Sequence, residues 1–388
     1  MKILRLITLP LLTLTASPRG AGAGDGWPAS TEAALTAAAG NRAELTRALT
    51  EVPAGQREGM QFLVENMPPV DLTSLKAEFL LAHVAQAYKT LAEAPWSKQV
   101  PKEIFLNDVL AYASLNECRD DGRPRLREVA APLVKDCKTP AEAAQVLNAK
   151  LFGIVSVRYS TERKKPDQSA LESMESGKAT CSGLAILLVD ACRSVGVPAR
   201  VAGTPLWSNL RGNHTWVEVW DGGWHFTGAA EPDPNGLDRG WFKGDAAKAD
   251  DSDPRFRIYA ASFKKTGMAF PLVWDRGIDW VNAVNVTDRY TGAVKVEAGK
   301  VRVLIRVLDR PRGKRVTAAV TVTDAEDATV VLRGSSKDEG ADLNNILAFQ
   351  LLPQHHYKIE ATLGEKTVRA EVTPTADADQ VTTVTLGD

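Results

Sequence analysis

The chain has 388 residues, 44% of them hydrophobic, enough to bury sizeable cores in two or three domains. Lys and Arg total 47 against 48 for Asp and Glu, so no global field draws it to nucleic acid or to an anionic membrane, and a partner must be read locally. Four cysteines are too few for a disulfide framework at this length.

Met1, Lys2 and Arg5, followed by an apolar run over residues 6–16 and by Ala21-Gly22-Ala23, have the layout of a secretory signal with a small-residue cleavage site. Residues 1–23 are therefore set aside, and the mature protein is expected outside the cytoplasm: periplasmic, at the cell surface or secreted. Pro10 inside the run argues against a buried helix, and the run is too short to span a bilayer, so no transmembrane segment is expected there.

Residues 24–150 read as an α-helical N-terminal region, with Ala- and Leu-rich segments over 31–49 and 72–92 broken by Pro53, Pro68-Pro69 and Pro95. The stretch 107–127, with Tyr112, Asn116 and Arg119-Asp120-Asp121-Gly122, reads as a solvated polar loop, with a cleft lining as the alternative. Cys118 and Cys137 lie in one polar stretch, either as a pair in an oxidising compartment or as two unrelated thiols.

Over residues 169–195 the pattern is helical until Gly196 and Pro198 stop it, and Cys192 falls on its apolar stripe, where packing is the default reading. Strand-like runs follow at 199–202, 214–220 and 224–227. Asp221-Gly222 between the last two suits a two-residue hairpin turn, because type I′ geometry needs φ > 0 at both positions. Residues 151–290 thus form an α+β unit. After about 291 the texture becomes seven short β runs in about a hundred residues, which points to an immunoglobulin-like β-sandwich over 291–388. The expected class is multidomain α+β. Asp338-Glu339 and Asp342, the densest acidic cluster, read as part of a solvated loop.

Chemistry concentrates in the middle unit. Cys181 opens the apolar face formed by Leu184, Leu187, Leu188, Ala191 and Val195, so it sits at a helix start, where unpaired N–H groups and the dipole favour thiolate and can receive an oxyanion. Of five histidines, only His214 opens a strand beside a Gly-containing loop. Gly-Lys-Ala-Thr-Cys-Ser-Gly-Leu from Gly177, Val-Gly-Val-Pro-Ala-Arg-Val from Val195 and Asn-His-Thr-Trp-Val-Glu-Val-Trp from Asn213 together resemble the transglutaminase-like superfamily over about residues 150–245. That resemblance implies a papain-like fold with Cys181 as nucleophile and His214 as base.

The family's Asp, four residues after the Trp of the second hairpin strand, is replaced here by Gly228. A two-residue turn would set His214 opposite Ala229 and bring Glu231 to its face as orienter; a three-residue turn would turn Glu231 away and leave Asp233 or a dyad. For the oxyanion, the Cys181 N–H is the first donor and Tyr159 or Gln168 the second. Trp207, Asn209 and Arg211 are candidate cleft residues, whereas Trp216 and Trp220 read as packing, and residues 236–242 as a turn docking aromatics.

No His-Glu-x-x-His run, zinc-spaced Cys pair, calcium loop or phosphate loop occurs, so neither cofactor nor metal is expected from motifs. These residues point to an amide-directed cysteine enzyme acting on protein or peptide, hydrolytic in its safer form. The alternatives are a cross-linking transglutaminase and a degenerate binding or scaffolding module.

Overall fold

The computed structural model describes residues 26–291, 299–375 and 379–387. The signal-like segment 1–23 lies outside the described residues. Among the described residues, no helix is long and apolar enough to cross a membrane.

The molecule is a multidomain α+β protein. An N-terminal helical cluster packs around Leu35, Leu49, Leu63, Leu80 and Leu110, with Ala77–Glu93 as its longest helix. The cores divide earlier than residue 150. Helices Arg123–Val134 and Pro140–Ile154 contribute Leu126, Ala130, Leu147 and Leu151 to the same core as helix Cys181–Ser194. The stretch 107–127 is not a solvated loop: Asp108, Ser114, Glu117 and Arg123 are buried in it. Burial is tolerated because the charges are paired or hydrogen-bonded. Arg119 Nε meets Asp71 at 3.0 Å, and buried Arg193 donates to the carbonyls of Asp108, Ala113 and Ala199. The segment thereby ties the N-terminal cluster to the core.

Two short parallel strands, β1 (Arg158–Tyr159) and β2 (Lys178–Ala179), flank helix Ala170–Ser176. That helix and Cys181–Ser194 are separate, because Gly177 takes φ 66° and ends the first. The main sheet is antiparallel, in the order β5-β4-β3-β6-β7, from β3 (Ala199–Thr204), β4 (His214–Trp220), β5 (Trp224–Thr227), β6 (Tyr259–Ala261) and β7 (Ala283–Asn285). Val201, Val217 and Val219 face helix Cys181–Ser194, while Ala202, Trp216 and Phe226 face a second, aromatic cluster, so the sheet is covered on both sides.

The β4–β5 turn takes three residues, not two: Trp220 pairs with Trp224, and the Asp221 N–H bonds the Gly223 carbonyl at 2.9 Å. Only Gly222 has φ > 0 among them (71°), so the type I′ requirement is met at one position and the register shifts by one.

Gly203 pairs with Thr215 on β4, and a Cβ there would lie 2.7 Å from the His214 carbonyl oxygen. Gly203→Ala should therefore cost about 1–3 kcal/mol by overpacking. A lowered midpoint in urea unfolding, with unchanged slope, would register it.

The C-terminal strands are β8 (Val301–Leu308), β9 (Ala319–Asp324), β10 (Val331–Ser335), β11 (Leu347–Leu351), β12 (Tyr357–Leu363), β13 (Lys366–Val372) and β14 (Gln380–Thr385). Sheets β10-β9-β12-β13 and β11-β8-β14 share a core of Val303, Ile305, Val320, Val322, Ile359 and Val384, which makes a sandwich of seven strands among the described residues. With strands lettered A to G, its sheets are C-B-E-F and D-A-G, a different grouping from the A-B-E-D and C-F-G of antibody constant domains.

Candidate active site

Helix Cys181–Ser194 begins after Thr180, whose extended backbone breaks from β2; among the described residues no side chain caps it. The first amides of a helix have no intrahelical partner, so the Cys181 end presents free donor capacity beside the sulfur. Cys181 is partly exposed, whereas Cys192, three turns further along the helix, is fully buried, its thiol pushed up to about 12 by burial. All four cysteines are free, Cys118 exposed and Cys137 buried.

One turn of sequence logic fixes helix against strand: Ser182 and Thr215, each the next residue after a candidate, share a buried hydroxyl–hydroxyl bond of 3.1 Å. Thr215 faces the helix, so His214 before it faces the aromatic side. There its ring lies 4.6 Å from Trp241, 5.0 Å from Phe242, 5.8 Å from Trp216 and 6.1 Å from Trp207. His214 is only 2% exposed.

The acid nearest this ring comes from the other end of the chain. Asp342, in the β10–β11 loop of the sandwich, places Oδ2 3.6 Å from His214 Nδ1 and is itself 4% exposed. The loop is held on both sides. Arg315 donates to the Asp342 and Ala341 carbonyls, and the Asp342 carboxylate accepts the Asn344 N–H at 2.8 Å. Across the domain boundary, Leu343 N–H donates to the Tyr159 hydroxyl, Asn344 to the Asn213 carbonyl and Asn345 to Glu231.

The sulfur of Cys181, one imidazole nitrogen and one Asp342 oxygen all lie within 4.8 Å of one another. Burial disfavours the charged imidazole, but the Asp342 carboxylate and the sulfur outweigh it and raise the His214 pKa from the usual 6.5 to about 10. Reciprocally, burial pushes Asp342 up and the imidazolium pulls it further down, for a net lowering. These groups line a cavity of about 400 Å³ with Tyr159, Glu231, Phe152 and Arg158.

Residues 127–246 match the model of the transglutaminase-like superfamily. Over those residues the chain resembles a transglutaminase-like core. Among solved structures it is similar to a candidate cysteine protease from Cytophaga hutchinsonii, at 21% identity over 30% of this chain and 40% of that one, with a TM-score of 0.25. A second similar structure is red sea bream transglutaminase, at 11% identity over 73% and 66% of the two chains, with a TM-score of 0.34. The chain spans about two fifths of the length of the Cytophaga protein. Comparison with the curated proteins gives no match.

Several residues stand elsewhere than sequence reasoning put them. Glu231 lines the pocket of the transglutaminase-like core but does not orient His214: its carboxylate accepts from Trp241 Nε1 at 2.7 Å and from Asn345 at 3.2 Å. Burial raises its pKa. The three-residue turn and an αL Ala230 (φ 63°) carry it off the strand, where it props Trp241 against the imidazole. Asp233 turns outward to cap Asn235. Gln168 is fully buried but braces the Ser176 and Lys178 backbone region, away from the cavity. Tyr159 does line the cavity, and because its oxygen accepts the Leu343 N–H, its own proton is free to donate.

Asn209 and Arg211 are not cleft residues either: they hold Asp245, with Asn209 also on Asp379 and Arg211 on the Asn344 carbonyl of the sandwich. Arg302 joins the same junction through Asp245 and Asp379. Trp207 is buried, stacked on Trp216. Phe242 docks into the aromatic cluster as the 236–242 turn suggested. Asp342 is the residue that sequence reasoning missed, since its loop is buried by the domain contact and not solvated. The absent hairpin Asp was its only signal, because it left a carboxylate to be found elsewhere.

Proposed function

We propose that this protein is an exported cysteine enzyme that cleaves amide bonds of proteins or peptides through a thioester, with water as acceptor. The observation that carries the reading is the meeting of Cys181, His214 and Asp342 at one helix start on a cavity wall. Their side chains supply what acyl transfer needs: a sulfur nucleophile, a proton carrier and a charge that sets that carrier's state. The Cys181 thiolate attacks the carbonyl carbon, and the oxyanion meets the Cys181 N–H and the Tyr159 hydroxyl. As the C–N bond breaks, the His214 imidazolium gives its proton to the leaving nitrogen. Neutral His214 then takes a proton from the attacking water, the acid departs, and thiolate and imidazolium are restored.

Asp342 removes the best argument for a degenerate module, because a carboxylate stands beside His214 even though the hairpin lacks one. Glu231→Gln should lower kcat/KM by less than about tenfold, since an amide still accepts one of its two bonds while Asp342 keeps the imidazole charged. Steady-state kinetics beside His214→Ala, which should lose far more, would check the ranking.

The test of the whole is incubation of the full chain with a peptide mixture, with and without a primary amine, read by mass spectrometry. New peptide termini or deamidated glutamines without amine adducts are expected. Dominant amine adducts would make cross-linking the function. Absence of any product, together with Cys181 alkylating no faster than a free thiol, would overturn the enzyme reading.

A further inference from the structure

In a relay triad the nucleophile and the acid approach opposite nitrogens of the imidazole, with the ring between them. Here the sulfur and the Asp342 oxygen are no more than 4.8 Å apart, and both stand within that distance of the same ring. The three donors converge on one point rather than forming a line. His214 is 2% exposed, and neither of its ring nitrogens has a hydrogen-bond partner among the described residues.

From this geometry we infer a second role for the site: Cys181, His214 and Asp342 form a three-point S, N, O pocket for a borderline-soft divalent cation such as zinc, which reversibly silences the sulfur. A tetrahedral zinc with ligands at about 2.0–2.3 Å needs its donors roughly 3.3–3.8 Å apart. The Asp342–His214 separation of 3.6 Å already has that spacing, and the sulfur is brought in by side-chain rotation at a partly exposed position. The fourth position opens on the 400 Å³ cavity, where water or the Tyr159 oxygen completes the set. The thiolate excludes calcium and magnesium, which take oxygen ligands.

The donors come from a helix start, a strand start and a sandwich loop, so no zinc spacing appears in sequence. Binding takes thiolate and neutral imidazole, so protons are released to solvent as the metal enters and affinity rises with pH.

The inference rests on the same three residues as the proposed enzyme site, and its test has a readout apart from turnover. The apo full-length protein is titrated with Co2+ and Zn2+ in weak buffer. Expected are one metal per chain, proton release on binding, a sulfur-to-cobalt charge-transfer band in the near ultraviolet, and no response to millimolar Ca2+ or Mg2+. Cys181→Ser should abolish the band, and Asp342→Asn, which removes a direct ligand, should weaken Co2+ binding by at least the roughly 10–100-fold that loss of an outer-shell partner costs. In an active preparation, zinc should stop turnover and EDTA should restore it.

Binding that persists in Cys181→Ser, or no band at millimolar Co2+, overturns the inference and leaves the enzyme reading untouched. Metal binding in a chain without turnover would instead leave the inference standing and the enzyme reading sunk.

Discussion

Cys181→Ala is expected to lower turnover roughly 10⁴-fold or more while shifting stability by less than about 0.5 kcal/mol. The two halves of that expectation have different sources. Turnover fails because thioester formation has no other sulfur in reach: Cys192 is fully buried and its thiol is pushed up to about 12. Stability survives because Cys181 is partly exposed at a helix start and leaves little packing behind. Peptide hydrolysis and urea unfolding on the same preparation separate these halves. A large fall in unfolding midpoint would identify a structural thiol. Native alkylation followed by peptide mapping adds a check within one molecule. Cys181 should label fastest, exposed Cys118 more slowly, and Cys192 only after unfolding.

What the sequence disclosed of this site follows the range of the forces involved. Helix start and strand start are local features, so Cys181 and His214 were legible from apolar periodicity, and the limits of β4 and β5 agree with the pattern at both ends. The sandwich strands were legible for the same reason: alternation along each strand reports one buried face. The hairpin register was not, because one turn residue more or less reverses the sidedness of everything after it, and Asp221-Gly222 permits both lengths.

Asp342 lay beyond reach for a different reason. An acidic loop looks alike whether it meets water or a neighbouring domain, and its burial is decided by Arg315 beneath it and by Tyr159 and Asn213 opposite. Asn209 and Arg211 were misjudged by the same blindness, since polar residues near a candidate cleft also serve to hold a domain in place. Helices Arg123–Val134 and Pro140–Ile154 look in sequence like those before them and differ only in which core they fill, which no local pattern reports.

Asp342→Asn should cut turnover at neutral pH by on the order of 10²–10³-fold and move its alkaline limb to lower pH. In the parent protein burial opposes charging of His214, and Asp342 and the sulfur override it, so the proton is held until about pH 10. With the carboxylate replaced by an amide, burial loses its main opponent and the imidazole gives up its proton earlier. Less imidazolium is then available to protonate the leaving nitrogen. Stability must follow the same titration. A histidine whose folded pKa lies above its unfolded 6.5 contributes stability that is full below pH 6.5 and lost as pH rises through about 10. Asp342, lowered from 3.8, contributes above that value and loses it in acid. The parent-minus-variant difference in unfolding free energy should therefore form a plateau between about pH 4 and 6.5 and decline toward pH 10. If Asp342 merely packed the loop, that difference would be flat across the range and the alkaline limb would stay where it was. Asp342→Glu, which keeps the charge, should recover the limb even where it disturbs the loop, so charge and packing are told apart within one series.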